Sequence, residues 1–122
     1  MNTCPFNCKI LHVGINAQGA QDAHDITQLI CTVFGLEYRP GEKSDFAGTL
    51  VEVMHENGRG EKGHIALGVD SIEDAEAWIE SQGHHYIMES AKYNEDGKMR
   101  LVYIDGSFGG FAIHFVRLPK EG

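Results

Sequence analysis

Apolar and polar positions switch between two periods along this chain of 122 residues. Residues 9–15 alternate apolar and mixed positions, the period of a strand whose two faces meet different surroundings. Asn16-Ala17-Gln18-Gly19 breaks that run. Across 20–34, Ala23, Ile26, Leu29, Ile30 and Val33 recur at spacings of three and four. The pattern predicts an amphipathic helix with those residues as its buried stripe, ended by Gly35. Cys31 falls on the apolar side and reads as a small buried hydrophobe. Residues 36–39, 45–47 and 50–54 follow as short strands between turn residues. Residues 56–62 (Glu-Asn-Gly-Arg-Gly-Glu-Lys) form a polar connector.

The same succession then starts again. Residues 64–69 read as a strand, and Asp70 or Ser71 caps a second helix with Glu73 and Asp74 in its first turn, where the helix dipole favours anions. Ile72, Ala75, Trp78 and Ile79 supply its apolar stripe. Residues 85–89, 99–104 and 111–116 predict three more strands, with Asn94-Glu95-Asp96-Gly97-Lys98 as a hairpin turn. The order is βαβββ twice, an α+β arrangement with sheet and helices in two layers. We place a single domain at 9–118, with units of about 9–55 and 62–118, an N-terminal extension at 1–8 and a tail at 119–122. Each unit opens with a histidine, His12 or His64, and closes on an alternating strand carrying one polar residue, Glu52 or His114. Polar residues at matching places suggest two half-sites facing each other across a pseudo-twofold axis.

Composition narrows the classes. A formal charge of −8 argues against nucleic-acid binding, which needs basic patches to neutralise phosphates. No apolar run approaches the roughly 20 residues that span a bilayer. The first residues lack the basic and apolar regions of a signal peptide, so a cytoplasmic location is expected. The three cysteines cannot all be paired within one chain. Cys4 and Cys8 have neither redox-motif nor zinc-knuckle spacing and are expected as reduced thiols.

The βαβββ repeat resembles the vicinal oxygen chelate superfamily, also called the glyoxalase/bleomycin-resistance/dioxygenase fold. The similarity runs from Lys9 to Leu118. Its most specific pieces are His64-Ile65-Ala66-Leu67-Gly68-Val69 followed by Asp70-Ser71-Ile72-Glu73-Asp74-Ala75, and Gly109-Gly110-Phe111-Ala112-Ile113-His114. Phe46-Ala47-Gly48-Thr49-Leu50-Val51-Glu52-Val53-Met54, Glu89-Ser90-Ala91-Lys92-Tyr93 and Gly110-Phe111-Ala112-Ile113-His114 are similar to one branch. Those are the glyoxalase-like domains appended to bifunctional 4-hydroxy-2-oxoglutarate/2-dehydro-3-deoxyphosphogluconate aldolases. The resemblance implies paired units forming a curved, cup-shaped mixed sheet with helices on its outer face. No aldolase barrel or Schiff-base lysine is present in the chain, so aldolase activity is not carried over.

In metal-binding members of that superfamily, ligands come from the first and last strands of each unit. The matching positions here are His12, Glu52, His64 and His114. Alternation around Glu52 turns it to the cup and Val51 and Val53 to the helices; around His12 the alternation is less clean. Three imidazoles and a carboxylate suit a divalent metal such as Zn, Ni, Fe or Mn, able to act as a Lewis acid on a carbonyl or enediolate oxygen. The family usually has a carboxylate at the last position, where this chain has His114. Glu52 is then the one candidate for abstracting a proton α to a carbonyl.

The resemblance thus implies a metal-dependent lyase or isomerase acting on a small oxo- or hydroxy-acid or related carbonyl compound. Structural, hydrogen-bonded histidines are the competing reading. With them goes a metal-free small-molecule binding domain, of resistance or accessory type, partnering a keto-acid aldolase. Arg39 and Arg100 are candidates to pair with a substrate carboxylate or phosphate, against a plain role on edge strands. Tyr103 and Phe108 are candidates to line the cup. His84 and His85 form a weaker metal candidate near a helix C-terminus, and His24 and His55 are expected in solvent. A homodimer is expected, because an open sheet leaves edges to cover and relatives often pair.

Overall fold

The computed structural model describes residues 4–119. Residues 1–3 of the expected N-terminal extension and 120–122 of the expected tail lie outside the described residues. The first unit comprises β1 (Lys9–Asn16), α1 (Ala20–Phe34), β2 (Tyr38–Arg39), β3 (Ser44–Ala47) and β4 (Val51–Met54). The second comprises β5 (Gly63–Val69), α2 (Ile72–Ser81), β6 (Tyr86–Tyr93), β7 (Met99–Phe108) and β8 (Phe111–Arg117). All eight strands join one open, curved sheet in the order β2-β3-β4-β1-β5-β8-β7-β6. This order is symmetric about the antiparallel β1–β5 pair. On one side β1 runs parallel to β4, and on the other β5 runs parallel to β8. The first and last strands of the two units therefore lie side by side at the middle of the sheet.

Both helices pack on the outer face, α1 against β3 and β4, and α2 against β7 and β8. The larger core lies beneath α2, where Val69, Ile72, Ala75, Tyr86, Val102 and Phe115 are buried. Phe115 meets the rings of Phe6 and Tyr86 edge-on, and the Tyr86 hydroxyl donates to the Ile72 carbonyl at 2.6 Å. Ser71 caps α2 by accepting the Asp74 N–H at 3.2 Å. Gly35 ends α1 in the left-handed conformation, φ 71°, with its N–H donating to the Cys31 carbonyl.

The buried stripe of α1 differs from the one read from apolar spacing. Ala23, Thr27 and Cys31 face the sheet, while Leu29 and Val33 are exposed. Small residues at i, i+4 and i+8 let the helix approach the sheet closely, and periodicity among large apolar residues misses such a stripe. The buried Thr27 hydroxyl is satisfied by donating to the Ala23 carbonyl at 2.6 Å. Strands β6 and β7 also run beyond their expected ends. Their ladder continues past an irregularity between Ile87 and Lys92, where Ser90 Oγ accepts the Tyr103 N–H. Cys31 is buried as expected, and Cys4 and Cys8 are exposed free thiols. Among the described residues no helix is long and apolar enough to cross a membrane.

Candidate metal centre

The four central strands build a floor on which large polar and very small residues alternate. One row across the sheet reads Phe46, Glu52, Gly14, His64, Ala112. The next reads His12, Ala66, His114, Tyr103. Neighbours directly across a ladder stand about 5 Å apart, so each imidazole has a glycine or alanine beside it to lean over. Gly14 is the extreme case: a Cβ built there would sit 2.0 Å from His64 Cε1. A register shift between Ile10 and His12 marks a bulge in β1. That bulge explains why alternation around His12 is irregular in sequence although its ring joins the others.

The side chains converge. His12 Nε2 and His64 Nε2 lie 3.3 Å apart, and Glu52 Oε1 lies 3.0 Å from His64 Nε2 and 3.4 Å from His12 Nε2. The His114 ring centroid is 5.4 Å from that of His64 and 5.8 Å from that of His12. One ligand atom from each of the three histidines falls within 4.8 Å of the others. Donors bound at about 2.0–2.1 Å around a tetrahedral zinc stand about 3.3–3.4 Å from each other, close to the spacing of the His12, His64 and Glu52 atoms. Two further observations agree with a metal. His64 Nε2 faces both an imidazole nitrogen and a carboxylate oxygen, and one ring nitrogen has a single in-plane hydrogen or lone pair to offer. Among the described residues, Nδ1 of the buried His114 has no hydrogen-bond partner of good geometry, although the Phe115 backbone beside it acts to raise its pKa.

Electrostatics sharpen the donor character. Burial, reinforced by the neighbouring His64 and His12 rings, lowers the His114 pKa to about 4, so this imidazole is neutral at pH 7. Burial also lowers His12, against the pull of Glu52. For Glu52, burial acts upward but is outweighed by hydrogen bonds from His64 and Ser44 and by the two histidine charges. Its carboxyl is therefore held below its ordinary range. Ser44 Oγ donates to Glu52 Oε2 at 2.7 Å, leaving Oε1 to the histidines. Neutral imidazoles beside an ionised carboxylate are the forms that ligate metals.

The other expected residues divide. Tyr103 joins the cup, its ring 4.7 Å from that of His114. Burial raises its pKa, as does the charge of Glu52, with Arg59 opposing. Arg39 extends the first row beyond Phe46, but it is exposed on the short β2 strand and pairs with Glu37 at 3.2 Å. Arg100 does not join the histidines; it lines a separate surface depression with Asn94, Asp96, Arg117, Leu118 and Pro119. Phe108 lies against the His84 ring instead of the cup. His84 and His85 both face Asp105 near the surface, at 3.1 and 2.9 Å.

Three contributors to the cup are absent from the expected set. Ser44 orients Glu52, and its place on the inward phase of a short strand was the available signal. Gly14 opens the cradle for His64. Arg59, in the polar connector, stands 5.3 Å over the Tyr103 ring, and nothing local in the sequence marks it. The expectation that His24 and His55 are solvent-exposed is wrong. His55 is buried and His24 is half-buried, and both meet the fully buried Asp45 on the face of β3 opposite the cup. Alternation along β3 (Ser44 and Phe46 to the cup, Asp45 and Ala47 to α1) requires this placement.

Paired βαβββ units, a curved open sheet and a His/Glu cluster on its central strands define a vicinal-oxygen-chelate-type fold. No protein-family model matches the chain, and no curated protein sequence does. Solved structures do. Hypothetical protein BH1468 from Bacillus halodurans C-125 superposes with a TM-score of 0.61 at 17% identity, covering 95% of this chain and 98% of that one. A selenomethionine methylmalonyl-CoA epimerase gives 0.60 at 18% identity, covering 98% and 100%. The methylmalonyl-CoA epimerase from Mycobacterium tuberculosis gives 0.55 at 15% identity, covering 98% and 93%. These neighbours belong to the vicinal oxygen chelate superfamily, and at such identities the likeness is one of fold.

Proposed function

We propose that this protein is a divalent-metal-dependent isomerase or lyase of the glyoxalase type, acting on a small oxo- or hydroxy-acid or related carbonyl compound. The observation that carries the reading is the convergence of the His12, His64 and Glu52 donor atoms, 3.0–3.4 Å from one another, on a floor cleared by Gly14. His12, His64 and His114, with Glu52 beside them, would hold Zn, Ni, Fe or Mn. Such an ion supplies Lewis-acid polarisation of a carbonyl oxygen.

The remaining chemistry falls to the chain's own groups. Glu52 is ionised at neutral pH and is the carboxylate placed to take the proton α to that carbonyl, its place beside the ion then being left to the three histidines and substrate. Ser44 holds the other carboxylate oxygen through its hydroxyl, which fixes the direction of transfer. Loss of that proton to solvent and delivery of another to the opposite face of the same carbon is isomerisation, and expelling a β-substituent is elimination. The fold shared with methylmalonyl-CoA epimerases supports the first. Arg59 over the Tyr103 ring is the cation placed to orient a substrate carboxylate. Arg39, on the same face at the sheet edge, is a second. The proposal includes a cytoplasmic homodimer, supported by exposed Leu29, Val33 and Phe34 on α1. A keto-acid aldolase is its proposed partner, a reading that rests on the resemblance of residues 46–54, 89–93 and 110–114 to aldolase-appended domains.

Elemental analysis of protein purified without an affinity tag tests the site. Stoichiometric metal that is lost in a His64→Ala/His114→Ala variant is expected. No metal in either protein overturns the reading in favour of a metal-free binding domain. Solvent deuterium uptake at the carbon next to the carbonyl (C3 of a 2-oxo-acid, C2 of a 2-hydroxy-acid), followed by NMR over a panel of such acids, tests the chemistry. Glu52→Gln is expected to slow exchange by about 10²–10⁴-fold. Co-purification tests the aldolase.

A further inference from the structure

The reverse face of the β3–β4 hairpin carries a second, independent set of donors. His24 comes from α1, Asp45 from β3, and His55 from the residue after β4. Asp45 is fully buried. Its Oδ1 lies 2.9 Å from His55 Nε2 and accepts the Gly41 N–H at 3.0 Å. Its Oδ2 lies against His24 Nδ1. One ligand atom from each of the three residues falls within 4.8 Å of the other two. The two imidazole rings meet edge-on at 5.1 Å.

One ring nitrogen in this arrangement faces two partners. His24 Nδ1 faces the Asp45 carboxylate and, at 3.1 Å, the Tyr38 hydroxyl. One ring nitrogen has one in-plane hydrogen or lone pair, so it cannot serve both at full strength. A cation seated between imidazoles and carboxylate removes that competition. The Gly41 N–H and the Tyr38 hydroxyl then become the outer partners that orient such ligands. Two nitrogens and one carboxylate oxygen are the donor set of borderline divalent ions, with positions left for water. Access exists: the His24 side chain is 32% exposed, and a cavity of about 330 Å³ bordered by Glu42, Lys43 and Glu56 reaches His55. Two carboxylates on that border favour entry of a cation.

We infer that His24, Asp45 and His55 form a second divalent-metal site on the outer face of the first unit, separate from the cup. The metal there joins α1 to the β3–β4 hairpin, and that hairpin carries Ser44 and Glu52 on its other face. The site is structural: it fixes the strand pair from which Glu52 projects. It needs no metal in the cup, because the two donor sets share no residue.

Zinc titration of the full-length, tag-free, metal-stripped protein tests this, with stoichiometry read by elemental analysis after gel filtration. Wild type is expected to retain two zinc ions per chain. His12→Gln/His114→Gln is expected to retain one, and His24→Gln/His55→Gln also one. A second measurement avoids dependence on variants that fold poorly. Ring ¹⁵N resonances of the wild-type histidines are followed by NMR as zinc is added, and those of His24 and His55 are expected to shift as directly coordinated nitrogens. Zinc uptake confined to the cup, with His24 and His55 resonances unmoved, overturns the second site and leaves the cup reading standing. Uptake confined to His24 and His55 supports the second site and overturns the metal in the cup.

Discussion

One methyl group at position 14 should dismantle the cup while leaving the sheet paired. Gly14 lies between Glu52 and His64 across the two central ladders. A Cβ there would stand 2.0, 2.3 and 2.6 Å from Cε1, Nδ1 and Nε2 of His64, against 3.4 Å or more for ordinary contact. The ring must therefore retreat by at least 1.4 Å, from 3.4 minus 2.0. Metal ligation tolerates about 0.2 Å, so Gly14→Ala removes one nitrogen from the donor set. Zinc affinity at the cup should fall by at least about 100-fold, the upper end of what lost outer-sphere support costs. Overpacking should cost the metal-free protein about 1–3 kcal/mol, offset in part by about 0.5–1 kcal/mol from replacing a flexible glycine within a strand. Competition against a chromophoric chelator measures the first quantity and urea unfolding of the stripped protein the second. Wild-type zinc affinity in a folded Gly14→Ala protein would refute the claim that His64 leans over Gly14 to reach a metal.

Three further outcomes follow from the packing. His114, with its pKa lowered from 6.5 to about 4, stays neutral in the native state while the unfolded chain takes up a proton. Stability of the metal-free protein should therefore be full above pH 6.5 and decline as pH falls toward 4, by about 3 kcal/mol; equally steep urea-derived profiles for wild type and His114→Gln would contradict this. Phe115→Ala, at a buried ring touching Phe6 and Tyr86, should cost about 3–5 kcal/mol in chemical denaturation. Ser71→Ala removes the cap of α2 and should cost about 1 kcal/mol in thermal unfolding, with the metal content of the cup unchanged.

Local patterning is enough to specify much of this molecule. The two helices, the capping Ser71, the terminating Gly35 and the repeated βαβββ order are written in short-range periodicity and turn chemistry, because backbone preferences act over a few residues. The pairing of His12 and Glu52 with His64 and His114 is legible only through the duplication, which says which strands correspond. Tertiary structure decided the rest. Small residues between the histidines matter only once β4, β1, β5 and β8 lie side by side, so nothing local announces Gly14 as a cradle or Ala66 as a spacer. The stripe of α1 turned out to be Ala23, Thr27 and Cys31, because close approach to the sheet overrode the larger apolar residues. Arg100 was separated from the cup and Arg59 brought to it, the one by strand register and the other by the path of a connector. His24, Asp45 and His55 are scattered along the chain, and each looks like a surface residue alone. Only the packing of α1 on the hairpin buries the carboxylate, and burial makes its two imidazole partners necessary.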